Sequence, residues 1–123
     1  MSVVALFPLL ALALGVGVLK APGIEQQRVE EVVADRRVGL SICYEDGRDR
    51  NPKLQGNVGV VMDVSESGKV LDAKSTRATT IADKEVVSCV LEVMKTLDFG
   101  GQDKPQTVRY TVRFVEEPPA KDE

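Results

Sequence analysis

The sequence contains no histidine and no tryptophan, and its aromatic residues are limited to two tyrosines and three phenylalanines. Histidine is the commonest general base, the usual partner of a nucleophilic serine or cysteine, and the commonest metal ligand. No serine lies in a G-x-S-x-G motif, and no glycine-rich loop of the phosphate-binding type precedes a helical pattern. We therefore predict that the protein is not an enzyme and that it has no catalytic residues, no metal site and no cofactor.

A strong basic charge is also lacking. The chain has 16 Lys and Arg residues against 19 Asp and Glu residues, which gives a formal net charge of −3 at pH 7. Nucleic-acid-binding domains usually carry a basic surface, so we predict no nucleic-acid partner. A length of 123 residues suits one domain with a single core.

Charged side chains are absent from residues 3–19, where Pro8 is the one helix breaker. A run of this length is the lower limit for a helix that spans a bilayer and slightly long for the core of a signal peptide. No basic side chain precedes the run, and small residues are poorly placed for cleavage. We predict that residues 1–23 form an apolar helix that is either a cleaved signal peptide or a retained membrane anchor, and both alternatives would export the rest of the chain.

The chain has two cysteines, Cys43 and Cys89, and no C-x-x-C pair. An even count in a small exported domain indicates a disulfide, provided that the fold brings the two residues together. Two buried free thiols are the alternative.

Apolar residues recur at spacings of three and four over residues 25–49, which predicts one helix. The face so defined comprises Val29, Val32, Val33, Arg36, Leu40, Cys43 and Gly47. Because glycine is a poor helix former, we expect the last turn of this helix to fray at Gly47. A second helix is predicted over residues 84–97, with Asp83 as its N-cap.

Three strands are predicted from alternating apolar and polar residues. Residues 58–64 and 69–75 form a hairpin around a turn at residues 65–68, where Gly68 takes the last position. Residues 107–115 give the clearest strand. Its apolar residues alternate with Thr107, Arg109, Thr111 and Arg113.

The element order predicts an α+β fold, an αββαβ two-layer domain over residues 24–115 with both helices on one face of the sheet. A right-handed crossover through the second helix gives a three-stranded antiparallel sheet in the order 2-1-3. The third strand then lies at an edge, and Cys43 and Cys89 lie on adjacent helices, close enough to bridge. Residues 116–123 are predicted to be a disordered acidic tail.

The edge strand carries the candidate functional residues Thr107, Arg109, Thr111, Arg113 and Val115. One interpretation is β-augmentation, in which a partner's extended segment adds to the free edge. The other is edge protection, because charges on an edge strand discourage aggregation. A structural or inhibitory module that acts through the loops at residues 65–68 and 100–105 is the alternative function.

Several segments resemble one known family when they are taken as a set. They are Cys43-Tyr44-Glu45, Asn51-Pro52-Lys53-Leu54-Gln55-Gly56, Gly68-Lys69-Val70, Val86-Val87-Ser88-Cys89-Val90 and Leu97-Asp98-Phe99. The set is similar to the TonB C-terminal-like domain, and more closely to its AgmX/PglI C-terminal subgroup, which occurs in gliding-motility and related envelope proteins.

The resemblance implies a periplasmic interaction domain in a gram-negative-type envelope, with a disulfide between the two helices. Relatives of TonB engage outer-membrane partners by strand addition and draw on a proton-driven motor in the inner membrane. Since no long spacer follows the apolar run, we expect that an anchored copy would not cross the periplasm. The predicted protein faces the periplasm, free or anchored in the inner membrane, and binds a protein partner. A truncated relative of the energy transducers is the alternative.

Overall fold

The computed structural model describes residues 24–115. The apolar helix predicted within residues 1–23 and the tail predicted over residues 116–123 lie outside the described residues. In chain order the elements are α1 (Gln26–Ala34), α2 (Arg37–Arg50), β1 (Gly56–Val64), β2 (Val70–Ser75), α3 (Lys84–Met94) and β3 (Gln106–Phe114).

The three strands form one antiparallel sheet in the order β2-β1-β3, as predicted. β1 and β3 pair along their whole lengths, from Gly56 opposite Phe114 to Val64 opposite Gln106. The β1–β2 register shifts between Asp63 and Val64, which leaves Leu71 as the extra residue of a bulge in β2. The α+β arrangement with a 2-1-3 sheet is therefore confirmed.

One face of the sheet is apolar and packs against the helices. The side chains that β1 places on this face are completely buried, and those of β3 join them together with apolar residues from all three helices. Among residues 24–115 no polar or charged residue is buried in this core. From the strands, the core takes Val58, Val60, Met62, Val64, Ala73, Val108, Val112 and Phe114.

The single first helix predicted over residues 25–49 is wrong, since α1 and α2 are separated at Asp35 and Arg36. The backbone N–H groups of these two residues donate to the carbonyls three residues earlier, which tightens the end of α1. Arg36 is exposed rather than on the buried face. Its guanidinium donates to the hydroxyl and the carbonyl of Thr96, at 2.9 and 3.2 Å.

The expected fraying at Gly47 is also wrong, because α2 continues to Arg50 and Gly47 is buried. A Cβ atom on Gly47 would overlap Val86 of α3 and Leu54 of the following loop. The absence of a side chain is what allows α2 to approach α3 here. α3 itself ends at Met94, earlier than predicted, although Leu97 beyond it is buried.

Cys43 and Cys89 form a disulfide between α2 and α3, with their Cα atoms 5.6 Å apart. The disulfide alternative is confirmed, and the described residues contain no free cysteine. Such a bond is compatible with an oxidising compartment. Within residues 24–115, no helix has the length and apolar character needed to cross a bilayer.

Candidate functional site

β3 presents two different faces, as its sequence predicts. Val108, Val112 and Phe114 are buried against the helices, whereas the polar residues between them are exposed. The exposed residues are the predicted candidates Thr107, Arg109, Thr111 and Arg113. Val115 lies one residue beyond the end of the strand and is half exposed.

Hydrogen bonds of β1 show which of its backbone groups face away from β3. Gly59 N donates to Thr79 Oγ1 at 3.0 Å, and Gly59 O accepts from Thr76 N at 2.9 Å. Asn57 N and O are bonded in the same way to Thr80. These partners belong to residues 76–81, which continue the line of β2 beside the first half of β1. The backbone groups of Asn57 and Gly59 therefore point away from β3.

The orientation of the β3 backbone follows from this pattern. Along a strand, successive residues direct their N–H and C=O groups to opposite sides, and directly paired antiparallel residues either exchange both bonds or none. Gly59 is opposite Thr111, and Asn57 is opposite Arg113. Both are pairs without hydrogen bonds, so the outward backbone groups of β3 are those of Thr107, Arg109, Thr111 and Arg113. Within residues 24–115 no hydrogen bond reaches these groups.

The other edge of the sheet, at β2, is less open. β2 has six residues and carries the bulge at Leu71. The chain after α3 covers the start of this edge. Lys69 and Asp98 form an isolated antiparallel β-bridge, and Phe99 N donates to Gly68 O at 2.8 Å. β3 has nine residues in unbroken register with β1, and no hydrogen bond from residues 24–115 covers its outward side, so within this range it is the more accessible edge.

A groove of about 520 Å³ lies between β3 and the helices α1 and α2. On the strand side its wall runs from Tyr110 to Phe114. A strand added to β3 would direct alternate side chains into this groove. The helix side is formed by Glu30, Val33, Ala34, Arg37, Leu40 and Ser41.

A smaller cleft of about 250 Å³ adjoins the Phe114 end of the groove. The ring of Tyr44 stacks on the ring of Phe114 with their centroids 4.8 Å apart. The guanidinium carbon of Arg48 lies 5.7 Å from the centroid of the Tyr44 ring. The cleft is lined by Ser41, Tyr44, Glu45, Arg48, Arg113, Phe114 and Val115.

The arginines around this edge are not neutralised by the part of the chain that the structure describes. No carboxylate among residues 24–115 lies within ion-pair distance of Arg37, Arg48, Arg109 or Arg113, although ion pairs occur elsewhere on the surface. The edge of an acidic protein thus carries unpaired positive charge.

The resolved pKa shifts belong to structural contacts away from this edge. Burial raises the pKa of Asp83, but the backbone N–H of Val86 and the guanidinium of Arg50 outweigh burial and hold it below its ordinary value. Asp83 caps α3 through the N–H groups of Glu85 and Val86. The pKa of Asp98 is lowered by Lys69 and by the backbone N–H of Gly100.

The two loops proposed as an alternative site are in contact. Gln102 donates through its backbone N to Glu66 O and through Nε2 to Ser65 O, each at 2.8 Å. A Cβ atom on Gly68 would overlap the backbone of Gly100, and both glycines have positive φ angles, 92° and 80°. The hairpin turn and the loop after α3 therefore support each other.

Sequence reasoning did not find the helix side of the groove. No pattern in the sequence connects Arg37, Ser41 or Arg48 with the edge strand. These residues share one side of α2 with Tyr44, at spacings of four, three and four. That stripe, beside the apolar stripe of the helix, is the signal that could have indicated a second contact surface.

Comparison with protein-family models, with curated proteins and with solved structures finds no match to this chain. Among residues 24–115 there is also no group of three His, Cys, Asp or Glu side chains arranged to hold a metal ion.

Proposed function

We propose that the protein is a non-enzymatic interaction module of the cell envelope that binds a protein partner by strand addition to β3. The observation that carries this proposal is the open edge of β3, where the backbone groups of alternate residues point outward beside a groove. In strand addition, main-chain hydrogen bonds supply affinity, and pockets for alternate side chains supply specificity.

The contrast between the two edges favours binding over simple edge protection. Proteins protect exposed edges with short strands, bulges, proline, charged side chains or covering loops. The β2 edge has three of these features: it is short, it carries a bulge, and residues near Asp98 cover its start. β3 is long and regular and has no proline. Its arginine side chains extend from the exposed face, which leaves the outward backbone groups accessible.

The proposed location rests on the disulfide and on the apolar N-terminal sequence. The Cys43–Cys89 bond would persist in an oxidising compartment such as the periplasm. The observed element order and the helix-to-helix position of this bond agree with the proposed relationship to the AgmX/PglI subgroup of TonB C-terminal-like domains.

A proline substitution at Thr111 tests the proposal. Thr111→Pro removes one outward N–H donor without removing a hydrogen bond of the native sheet, so the domain should fold, whereas an added strand loses its bond. Thr111→Val keeps the donor and is the matched control. In pull-downs from envelope extract, we expect wild type and Thr111→Val to retain the same partner and folded Thr111→Pro to lose it. Equal retention by all three would overturn the proposal.

The joined loops support a second candidate, a structural or inhibitory module. Gln102 connects its own loop to the hairpin turn through two hydrogen bonds, which presents both loops as one surface. Loss of the partner in Gln102→Ala and retention in Thr111→Pro would favour this candidate over strand addition.

A further inference from the structure

We propose that the segment captured by β3 carries an Asp or Glu side chain, and that the cleft at the Phe114 end of the groove binds its carboxylate through Arg48. The proposal rests on the proposed strand addition and specifies the chemistry of the partner. Arg48 belongs to α2 and Arg113 to the edge strand itself, and both line the same cleft of about 250 Å³. A segment lying along β3 would therefore pass beside both residues, and Arg113 would add positive charge at the edge.

Arg48 has hydrogen-bonding capacity that the described residues do not use. Its Nε atom is buried, and it has no acceptor within residues 24–115. An unsatisfied buried donor is unfavourable, and a guanidinium presents five donors in a fixed planar arrangement. A carboxylate can accept two of these bonds at once, which makes it the ligand best matched to this geometry.

The Arg48 guanidinium lies over one ring of a stacked aromatic pair. Tyr44 stacks on Phe114, and Arg48 lies over the Tyr44 ring. Tyr44 is itself held by the hydrogen bond that its hydroxyl donates to Leu54 O. Since little side-chain entropy is lost when a preorganised arginine binds, the cleft favours a specific contact over diffuse attraction.

Among residues 24–115, no carboxylate pairs with the arginines of this cleft. Glu45 lines it but forms no ion pair with Arg48 or Arg113. Arg50, one half-turn further along α2, shows the opposite arrangement. Its guanidinium pairs with Asp46, Asp83 and Glu85. The neutralised Arg50 is structural, whereas Arg48 and Arg113 have no acidic partner among residues 24–115.

Charge also argues against a second copy of β3 as the occupant. In a symmetric antiparallel pair centred on Thr111, Arg109 of each copy would lie opposite Arg113 of the other, and like charges directly opposite each other are destabilising. An extended acidic segment of a different protein has complementary charge. Its inward apolar side chains would enter the groove beside Val33 and Leu40.

A peptide selection tests the inference on the oxidised full chain. The probe is a phage-displayed library of random ten-residue peptides, from which the selected sequences are synthesised with blocked termini and measured by fluorescence anisotropy. We expect an Asp or Glu at one fixed position, and replacement by Asn or Gln should weaken binding by about tenfold to a hundredfold. Arg48→Gln should weaken the acidic peptide to a similar degree and the amide peptide little, and Arg113→Gln should weaken the acidic peptide less than Arg48→Gln.

Arg77→Gln removes an exposed arginine away from the cleft and is the control for net charge. Arg48→Lys keeps the charge without the bidentate geometry, so it should recover part of the affinity and serves if Arg48→Gln does not fold. Two outcomes would overturn the carboxylate site but leave strand addition intact. In the first, the selected peptides require the Thr111 N–H but carry no preferred acid. In the second, acidic peptides bind Arg48→Gln and wild type equally. Failure to obtain any peptide that Thr111→Pro weakens would overturn strand addition as well.

Discussion

Gly47 of α2 lies directly against Val86 of α3, with no room for a side chain between them. One turn earlier in α2, Cys43 is bonded to Cys89, which follows Val86 in α3. The close approach and the disulfide therefore belong to a single helix–helix contact. The packing of α2 against α3 depends on how closely the two helices approach at this contact.

We expect Gly47→Ala to destabilise the oxidised protein by about 1–3 kcal/mol, because overpacking against Val86 and Leu54 exceeds the gain in helix propensity. Urea unfolding measures the change. Gly39→Ala is a matched control in the same helix, since its Cβ would lie 3.6 Å from Val93, an ordinary contact. Gly39→Ala should be neutral or stabilising. A Gly47→Ala variant as stable as wild type would contradict the packing argument.

Removing the disulfide should lower the free energy of unfolding by roughly 2–4 kcal/mol, because the bond restricts a loop of 46 residues in the unfolded chain. The measurement compares urea unfolding of wild type with that of the Cys43→Ala, Cys89→Ala double variant. Wild type in reductant should approach the double variant. An unchanged unfolding midpoint would show that the bond contributes no stability.

Stability should fall at acid pH. The pKa values of Asp83 and Asp98 lie below the ordinary value of 3.8. For a carboxyl with a lowered pKa in the folded state, the stabilising contribution is complete above its unfolded pKa and is lost as pH falls through the folded pKa. The loss should therefore begin near pH 4 and increase below it. Urea midpoints measured from pH 7 downward would report this dependence.

Asp83→Asn is the informative variant for this prediction. Asparagine is also a good N-cap, so helix α3 should keep its start, while the charge that faces Arg50 is removed. The acid-dependent loss should be smaller in the variant than in wild type. An identical pH dependence in the two proteins would assign the effect to other carboxyls.

Amide exchange in the free protein should alternate along β3. The N–H groups of Val108, Tyr110 and Val112 point to β1, whereas those of Arg109 and Thr111 point outward. We expect the outward amides to exchange faster by about a hundredfold or more, measured by NMR on the full chain. Uniform protection along the strand would mean that the edge is already covered.

The sheet could be predicted because its signal is local. In β3 every second residue is apolar, and successive side chains of a strand point to opposite faces, so the alternation in the sequence predicts the strand directly. The break at Asp35 and Arg36 could not be predicted in the same way, since the apolar spacing continues across it from Val33 to Leu40. The prediction of fraying at Gly47 was wrong because helix propensity depends only on the local sequence, whereas the packing of Gly47 depends on α3.

One part of the candidate site could likewise be predicted from the sequence, and the other part could not. Thr107, Arg109, Thr111 and Arg113 could be identified because the element order places their strand at an edge. Arg48 could not be identified. A charged residue on a helix face looks the same in the sequence whether that face borders solvent or a groove, and only the position of the neighbouring strand distinguishes the two. The chemistry proposed for the cleft depends on that tertiary placement.

The strand order also has a consequence for how the binding edge comes into existence. β1 is the central strand, but its partner β3 is the last of the described elements, and Gly56 must find Phe114 across most of the domain. In a chain that emerges from a translocation channel N-terminus first, the β1–β2 hairpin can form early, while the other side of β1 stays open until β3 arrives. The arrival of β3 closes that side and creates, in one step, the free edge to which the proposed partner would bind. Capture of a partner at β3 would thus be confined to molecules that have completed folding.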